Sequence, residues 1–250
     1  MTKTASQQEP LKNPLLDLDG PELGGEQSRL SVNRLRLEEQ AAGQEEVRRL
    51  HRAERPVIGV LAIQGDFAAH AEALAEAGAD PVEVRKPDQL AGLDGLILPG
   101  GESTTVLRFL DRLHFFDVLK DFCACKPVFG TCAGAILLAR EVLSPPQRSL
   151  GLLDAVVERN AYGRQIDSTI ITAETSLSGG PLEMVFIRAP RIAETGTGVE
   201  VLARRDRYPV LVQQRNLMAA TFHPELSSDR RVHQLFVQLV TRWRTELPGG

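Results

Sequence analysis

The stretch Lys126–Ala139, KPVFGTCAGAILLA, sets a cysteine between two glycines where an apolar run hands over to a helix-forming one. The spacing Gly130-Thr131-Cys132-Ala133-Gly134 is that of a nucleophile elbow. A sharp strand-to-helix turn needs glycine where a side chain would clash, and it lifts the central residue out of the sheet. It also sets Cys132 at a helix N-terminus, where the dipole favours a thiolate. The backbone N–H of Ala133 is then one donor for an oxyanion. The competing reading is a small sulfur side chain used as core filler.

A cysteine nucleophile needs a base, and the base needs an orienting group. Of five histidines, His51 falls in a charged segment. His70, His114 and His233 fall in helical stretches and read as structural. His223 stands apart, because MAATFHPEL carries an apolar strand straight into His-Pro-Glu. Pro224 disfavours helix at His223 and predicts an extended segment. Residues i and i+2 of such a segment point the same way, so His223 and Glu225 face one site. The third piece, LILPGGESTT, ends a strand in Gly100-Gly101 and opens a helix at Glu102-Ser103. Bare glycines let backbone N–H groups approach a ligand, so this loop completes an oxyanion hole of Gly100, Gly101 and Ala133. A phosphate loop is excluded, since the lysine and Ser/Thr ending are missing. Glu102 reads either as a ligand for a substrate amine or as the acidic first turn of a helix.

These residues need elements to carry them. Val57–Ile63 is a short continuous apolar run, as in a strand buried on both faces. Helix and strand signals then alternate: a helix over 66–79, strands at 81–85 and 93–99, helices over 104–113 and 115–123, a strand at 126–130, a helix over 133–143. Alternation predicts an α/β fold with a mostly parallel sheet and helices on both faces. From Gly151 the texture is richer in strands, at 154–160, 167–174, 183–190, 199–205 and 208–226, some antiparallel. A closing helix follows, with Asp229 as its N-cap. Cys123 and Cys125 are too few for a zinc site and read as helix core.

The chain has 250 residues, 42% hydrophobic and 25% charged, enough for a substantial core. A net charge of −4, from 33 acidic and 29 basic residues, gives no basic field for nucleic acid or a membrane surface. No apolar run spans a bilayer and no secretory signal is predicted. Three cysteines point to a reducing, cytoplasmic setting. Residues 1–55 lack any Phe, Tyr or Trp and are dense in mixed charge. Disorder is expected over 1–28 and a helix over 29–54. The division is therefore an extension, 1–55, and a catalytic domain, 56–246.

Taken together, Cys132, His223 and Glu225 in the contexts GTCAG and TFHPE resemble the class I (triad) glutamine amidotransferases. Within that class the chain is similar to the glutaminase subunits of pyridoxal 5'-phosphate synthases. The matching stretches are IGVLAIQGDFAAH, LILPGGESTT, PVFGTCAGAILLA, VVERNAYGRQIDS, VFIRAP and TFHPEL, in order over about residues 57–242. The resemblance implies a flavodoxin-like three-layer sandwich with added antiparallel strands. It implies hydrolysis of L-glutamine to glutamate and ammonia, the ammonia passing to a synthase subunit that makes pyridoxal 5'-phosphate for vitamin B6 supply. It assigns Cys132 as nucleophile, His223 as acid/base and Glu225 as its orienter. Gly101, Glu102, Ser103, Arg159, Ile187 and Arg188 match substrate-binding positions. No cofactor and no metal are implied for this chain. Alternatives are a triad glutaminase serving another synthase, a cysteine hydrolase on the same scaffold, and a non-catalytic binding module. Ala69 replaces the acid often found before the first-helix histidine, and the extension 1–55 has no counterpart in the family pattern.

Overall fold

The computed structural model describes residues 55–161 and 168–246. The expectations for the extension up to residue 54 lie outside the described residues, as does the part of VVERNAYGRQIDS at 162–167.

The central sheet has seven strands in the order β10-β11-β12-β4-β3-β1-β2. Five of them run parallel: β1 (Val57–Leu61), β2 (Asp80–Val84), β3 (Gly95–Leu98), β4 (Val128–Thr131) and β12 (Leu217–Ala220). The strands β11 (Tyr208–Gln214) and β10 (Glu200–Arg205) extend it antiparallel at one edge. The parallel part, 2-1-3-4, has the flavodoxin-like order.

Apolar runs appear where both faces of a strand are covered, and their side chains divide by alternation. Ile58 and Val60 of β1, Ile97 of β3, and Met218 and Ala220 of β12 share one core. In it they meet Leu74 of α1 (Phe67–Glu76) and Val232, Phe236 and Val240 of α5 (Arg231–Glu246). Leu96 and Leu98 of β3 and Leu217 and Ala219 of β12 share the other. That core includes Val106 and Leu110 of α2 (Ser103–Arg112), Leu119 and Cys123 of α3 (Phe116–Cys125), and Ile136–Leu138 of α4 (Ala133–Leu138). The result is three layers, as expected. Arg55 joins the domain too, its guanidinium donating to the carbonyls of Ala75, Gly78 and Ala79 at the end of α1.

Several expectations are corrected. The run Ala133–Leu143 is not one helix: α4 stops at Leu138, and β5 (Ala139–Leu143) pairs in parallel with β6 (Leu153–Glu158). Its charged Arg140-Glu141 face outward while Val142 is buried, so sheet pairing overrides helix propensity. A strand the sequence reading omits, β9 (Arg191–Thr195), completes this second sheet antiparallel to β6. The strands β7 (Thr169–Ala173) and β8 (Leu182–Phe186) form a separate antiparallel pair. The run 208–226 breaks at Arg215-Asn216 between β11 and β12. Cys123 is buried, which pushes its thiol pKa upward, whereas Cys125 is exposed rather than core. His114 is not in a helix but in the turn after α2, with φ 51° and its surface exposed. The N-cap of α5 is Arg230, whose carbonyl takes the Gln234 N–H, so Asp229 stands one position before the expected cap; its carboxylate accepts the Arg231 N–H at 3.1 Å. Among the described residues no helix is long and apolar enough to cross a membrane.

Candidate active site

The ends of the parallel strands converge on one cleft, as open α/β sheets arrange their sites. Its volume is about 680 Å³. Gln64, Gly65 and Asp66 follow β1, Gly100–Ser103 follow β3, Cys132 follows β4, and His223 follows β12. The added strands supply the rest. Arg159 and Asn160 leave the end of β6, and Ile187 and Arg188 leave the end of β8.

The elbow is built as its glycines suggest. Cys132 has φ 48° and ψ −101°, a left-handed conformation that is strained for a side-chain-bearing residue. A Cβ on Gly130 would overlap the Gly134 backbone, and one on Gly134 would overlap the Leu98 carbonyl. The Cys132 N–H donates to the Ala220 carbonyl at 2.8 Å, tying the elbow to β12 and leaving that N–H engaged. The helix behind it has six residues, fewer than two turns. Fewer aligned dipoles stand behind Cys132 than a long helix would supply, so the expected dipole effect is correspondingly reduced.

Positive charge comes instead from His223. Burial opposes its protonation, but its interactions with Cys132 and Glu225 prevail and hold its pKa up at about 10. Nδ1 lies 2.8 Å from Glu225 Oε1. The reason differs from the expected one. Pro224 does not extend the chain; it opens a 3-10 turn, Pro224–Leu226, with His223 at its N-cap. Proline suits that first position because no N–H is required there, and the turn folds Glu225 back under the imidazole. The His223 N–H donates to the Val185 carbonyl at 2.8 Å, which fixes the backbone against β8.

Gly100 lies beside this pair. A Cβ there would stand 2.5 Å from His223 Cε1 and 3.4 Å from Cys132 Cβ. Gly101 has φ +134°. Glu102 is the N-cap of α2 and accepts from Thr104, and from Thr105 at 2.6 Å; these bonds lower its pKa, helped by Arg108 and Arg159. The Ser103 hydroxyl donates to Gln147 Oε1 at 2.8 Å, so its side chain braces the loop. Ala133 is buried and lines a small recess with Ile63, Gln64 and Pro99. Glu225 sits behind His223, out of the cleft. The other residues expected at the site, Gly100–Ser103, Cys132, Arg159, Ile187, Arg188 and His223, line the cleft.

Gln64, Gly65, Asp66, Ile136 and Asn160 also line it and carry no role in the sequence reading. The signal for the first three was the glycine after β1, the strand at the topological switch point. Asp66, His223 and Glu225 bring one donor atom each within 4.8 Å of one another. The two buried members already bind each other at 2.8 Å.

The matching relatives agree with this architecture. The sequence model of the SNO glutamine amidotransferase family matches residues 60–242. A protein of Koribacter versatilis named pyridoxal 5'-phosphate synthase subunit PdxT is 60% identical over 183 residues, 73% of this chain and 95% of that protein. Its namesake in Thermotoga maritima is 50% identical over 185 residues, 73% of this chain and 98% of that one. A crystal structure of a glutamine amidotransferase is 47% identical with a TM-score of 0.68, covering 73% of this chain and 98% of the other. A likeness in fold alone extends to the structure of PurLQS from Thermotoga maritima, 16% identical with a TM-score of 0.52, over 77% of this chain and 98% of the other. On these matches the chain belongs to the SNO glutamine amidotransferase family.

Proposed function

We propose that this chain hydrolyses L-glutamine to L-glutamate and ammonia through Cys132, His223 and Glu225. The ammonia passes to the synthase subunit of pyridoxal 5'-phosphate synthase. The observation that carries the reading is the cysteine at a left-handed elbow, set against Gly100 beside an imidazole that Glu225 holds from behind at 2.8 Å. Membership of a glutamine amidotransferase family and relatives named PdxT support the substrate and the partner.

Glutamine carries an ammonium and a carboxylate at one end and a neutral amide at the other. Glu102 is an acceptor for the ammonium. Arg159 and Arg188 suit the carboxylate, Arg159 close enough to Glu102 to influence its ionisation. Ile187 packs against the methylene chain, while Gly101 and Ser103 shape the loop. The Cys132 thiolate attacks the amide carbonyl. The oxyanion is held by the Ala133 N–H, which as the first of α4 has no acceptor within the helix, and by N–H groups of Gly100-Gly101. The His223 imidazolium gives its proton to the amide nitrogen. The C–N bond breaks, ammonia leaves, and a γ-glutamyl thioester remains. His223 then takes a proton from water, whose oxygen attacks the thioester. Glutamate leaves and the thiolate returns. Losing one oxyanion donor costs ~10²–10³ in rate, so a small loop movement gates turnover. The isolated chain is expected to be nearly silent until the synthase docks.

The test is Cys132→Ala in the complex with the synthase subunit. Glutamine-dependent pyridoxal 5'-phosphate formation is expected to vanish, while added ammonium still supports it. Retained glutamine hydrolysis would contradict the assignment.

A further inference from the structure

Behind Glu225, on the side away from the cleft, lies a line of buried polar groups that the proposed chemistry does not use. Glu225 spends Oε1 on His223. Its Oε2 is buried and accepts no well-aligned hydrogen bond among the described residues. One nitrogen stands within reach, Nε2 of His70 on α1, at 3.2 Å, with both side chains fully buried. The same nitrogen is 3.1 Å from Thr131 Oγ1, the residue before the nucleophile. The other ring nitrogen, Nδ1, is 3.0 Å from His233 Nε2 on α5. A buried anion with an unengaged oxygen is costly unless a donor faces it.

The pattern selects one tautomer for each ring. His70 is held neutral: burial lowers its pKa well below the usual value, and His233 and His223 add to that. It therefore carries one N–H. If that proton sat on Nδ1, a bare Nε2 lone pair would face a carboxylate, and the His233 N–H would sit on Nδ1. The Nδ1 atom of His233 is buried and has no partner among the described residues, so a donor would be orphaned there. With the proton on Nε2 of both rings, His233 donates to His70 Nδ1, the His70 Nε2–H is shared between Thr131 Oγ1 at 3.1 Å and Glu225 Oε2 at 3.2 Å, and the orphan on His233 is only a lone pair. Other charges near this line are Asp66 at the cleft and Arg230 at the start of α5. Arg230 is paired with Glu76 and donates to the Ser227 carbonyl at 2.6 Å.

We infer that His70 is a positioning residue: its Nε2–H holds the second oxygen of Glu225, and so holds His223 in line with Cys132. His233 fixes the His70 tautomer. His70 touches no substrate. The inference rests on the triad reading above. It reaches two elements, α1 and α5, that contribute nothing to the cleft wall at these positions.

The test uses the full chain in complex with its synthase. Orienting partners of a functional imidazole are typically worth 10–100-fold when removed. His70→Leu is expected to lower kcat by about that factor, leave KM for glutamine within about threefold, and move the acidic limb of the pH–rate profile to higher pH. That limb moves because Glu225 loses a donor to its charged form. His70→Gln, whose amide N–H reaches the Nε2 position, should recover most of the loss; His70→Asn, whose amide stops at the Nδ1 position, should not. A folded His70→Leu with wild-type kcat and pH profile would overturn the inference, as would Gln and Asn variants that behave alike. Should no His70 variant fold, ¹⁵N-histidine spectra of the wild-type chain decide, with His233→Gln assigning the signals. Neutral Nε2–H tautomers for His70 and His233 are expected, and an Nδ1–H tautomer on either overturns it. Failure of the triad itself is separate, because it is read from Cys132→Ala.

Discussion

At the scale of single residues, the site depends on side chains that are missing as much as on those present. Gly100 leaves room for the imidazole, and a methyl group there would force His223 off its line to Cys132. Gly100→Ala is therefore expected to cost ~10²–10³ in kcat with little change in thermal stability; steady-state kinetics beside a melting curve checks both. Cys132, His223 and Glu225 were legible in the sequence because each sits in a short pattern with its own physical reason. The reason was partly wrong for the pair. The sequence predicts that Pro224 keeps the chain extended, whereas it opens a 3-10 turn, and either geometry brings Glu225 to His223. Arg159 and Arg188 were legible only through resemblance, since an arginine at a strand end has many ordinary uses. His70 reads as structural because a buried histidine in a helix gives no sign of which groups pack against it.

At the scale of elements, the elbow works because β3, β4 and α4 touch backbone to backbone. Gly134 packs so near Leu98 that a Cβ would overlap its carbonyl. Gly134→Ala is expected to destabilise the domain by about 1–3 kcal/mol and to lower glutaminase activity as well, because any relief moves Cys132. Urea unfolding with a parallel activity assay tests this, and an unchanged midpoint would refute it. The parallel strands were legible as apolar runs between helical patterns. The strands β5 and β9 were not: AREVL continues an excellent helix signal, and RIAET is short and half-polar. Only pairing with β6 makes either a strand. Those hidden strands matter, since β6 delivers Arg159 to the cleft.

For the whole molecule, buried histidines shape stability from both sides of neutrality. His233 is pushed down to about 3, first by burial and then by Arg230. Unfolding restores its ordinary value near 6.5, so the unfolded chain binds more protons in between, and stability falls as pH drops from about 6.5 toward 3. His223 is held up at about 10, burial being outweighed by its interactions with Cys132 and Glu225. Its contribution is complete below about 6.5 and is lost as pH rises through 10. Urea unfolding across this range should show His233→Gln flattening only the acid side and His223→Gln only the alkaline side. We further propose that residues from about 56 fold without the extension, given the charged, aromatic-free composition of 1–55. A chain beginning at Arg55, which keeps the anchor to α1, is expected to melt like the full chain and to retain glutaminase activity with the synthase. A large drop in melting temperature would assign the extension a structural role.

Labelling tests the central claim most directly. The chain, in complex with its synthase subunit, is treated with a diazoketone analogue of glutamine and digested for mass spectrometry. One adduct on the peptide carrying Cys132 is expected, blocked by excess glutamine and absent in His223→Ala. An adduct on Cys123 or Cys125 instead, or none while glutamine is still hydrolysed, would contradict it.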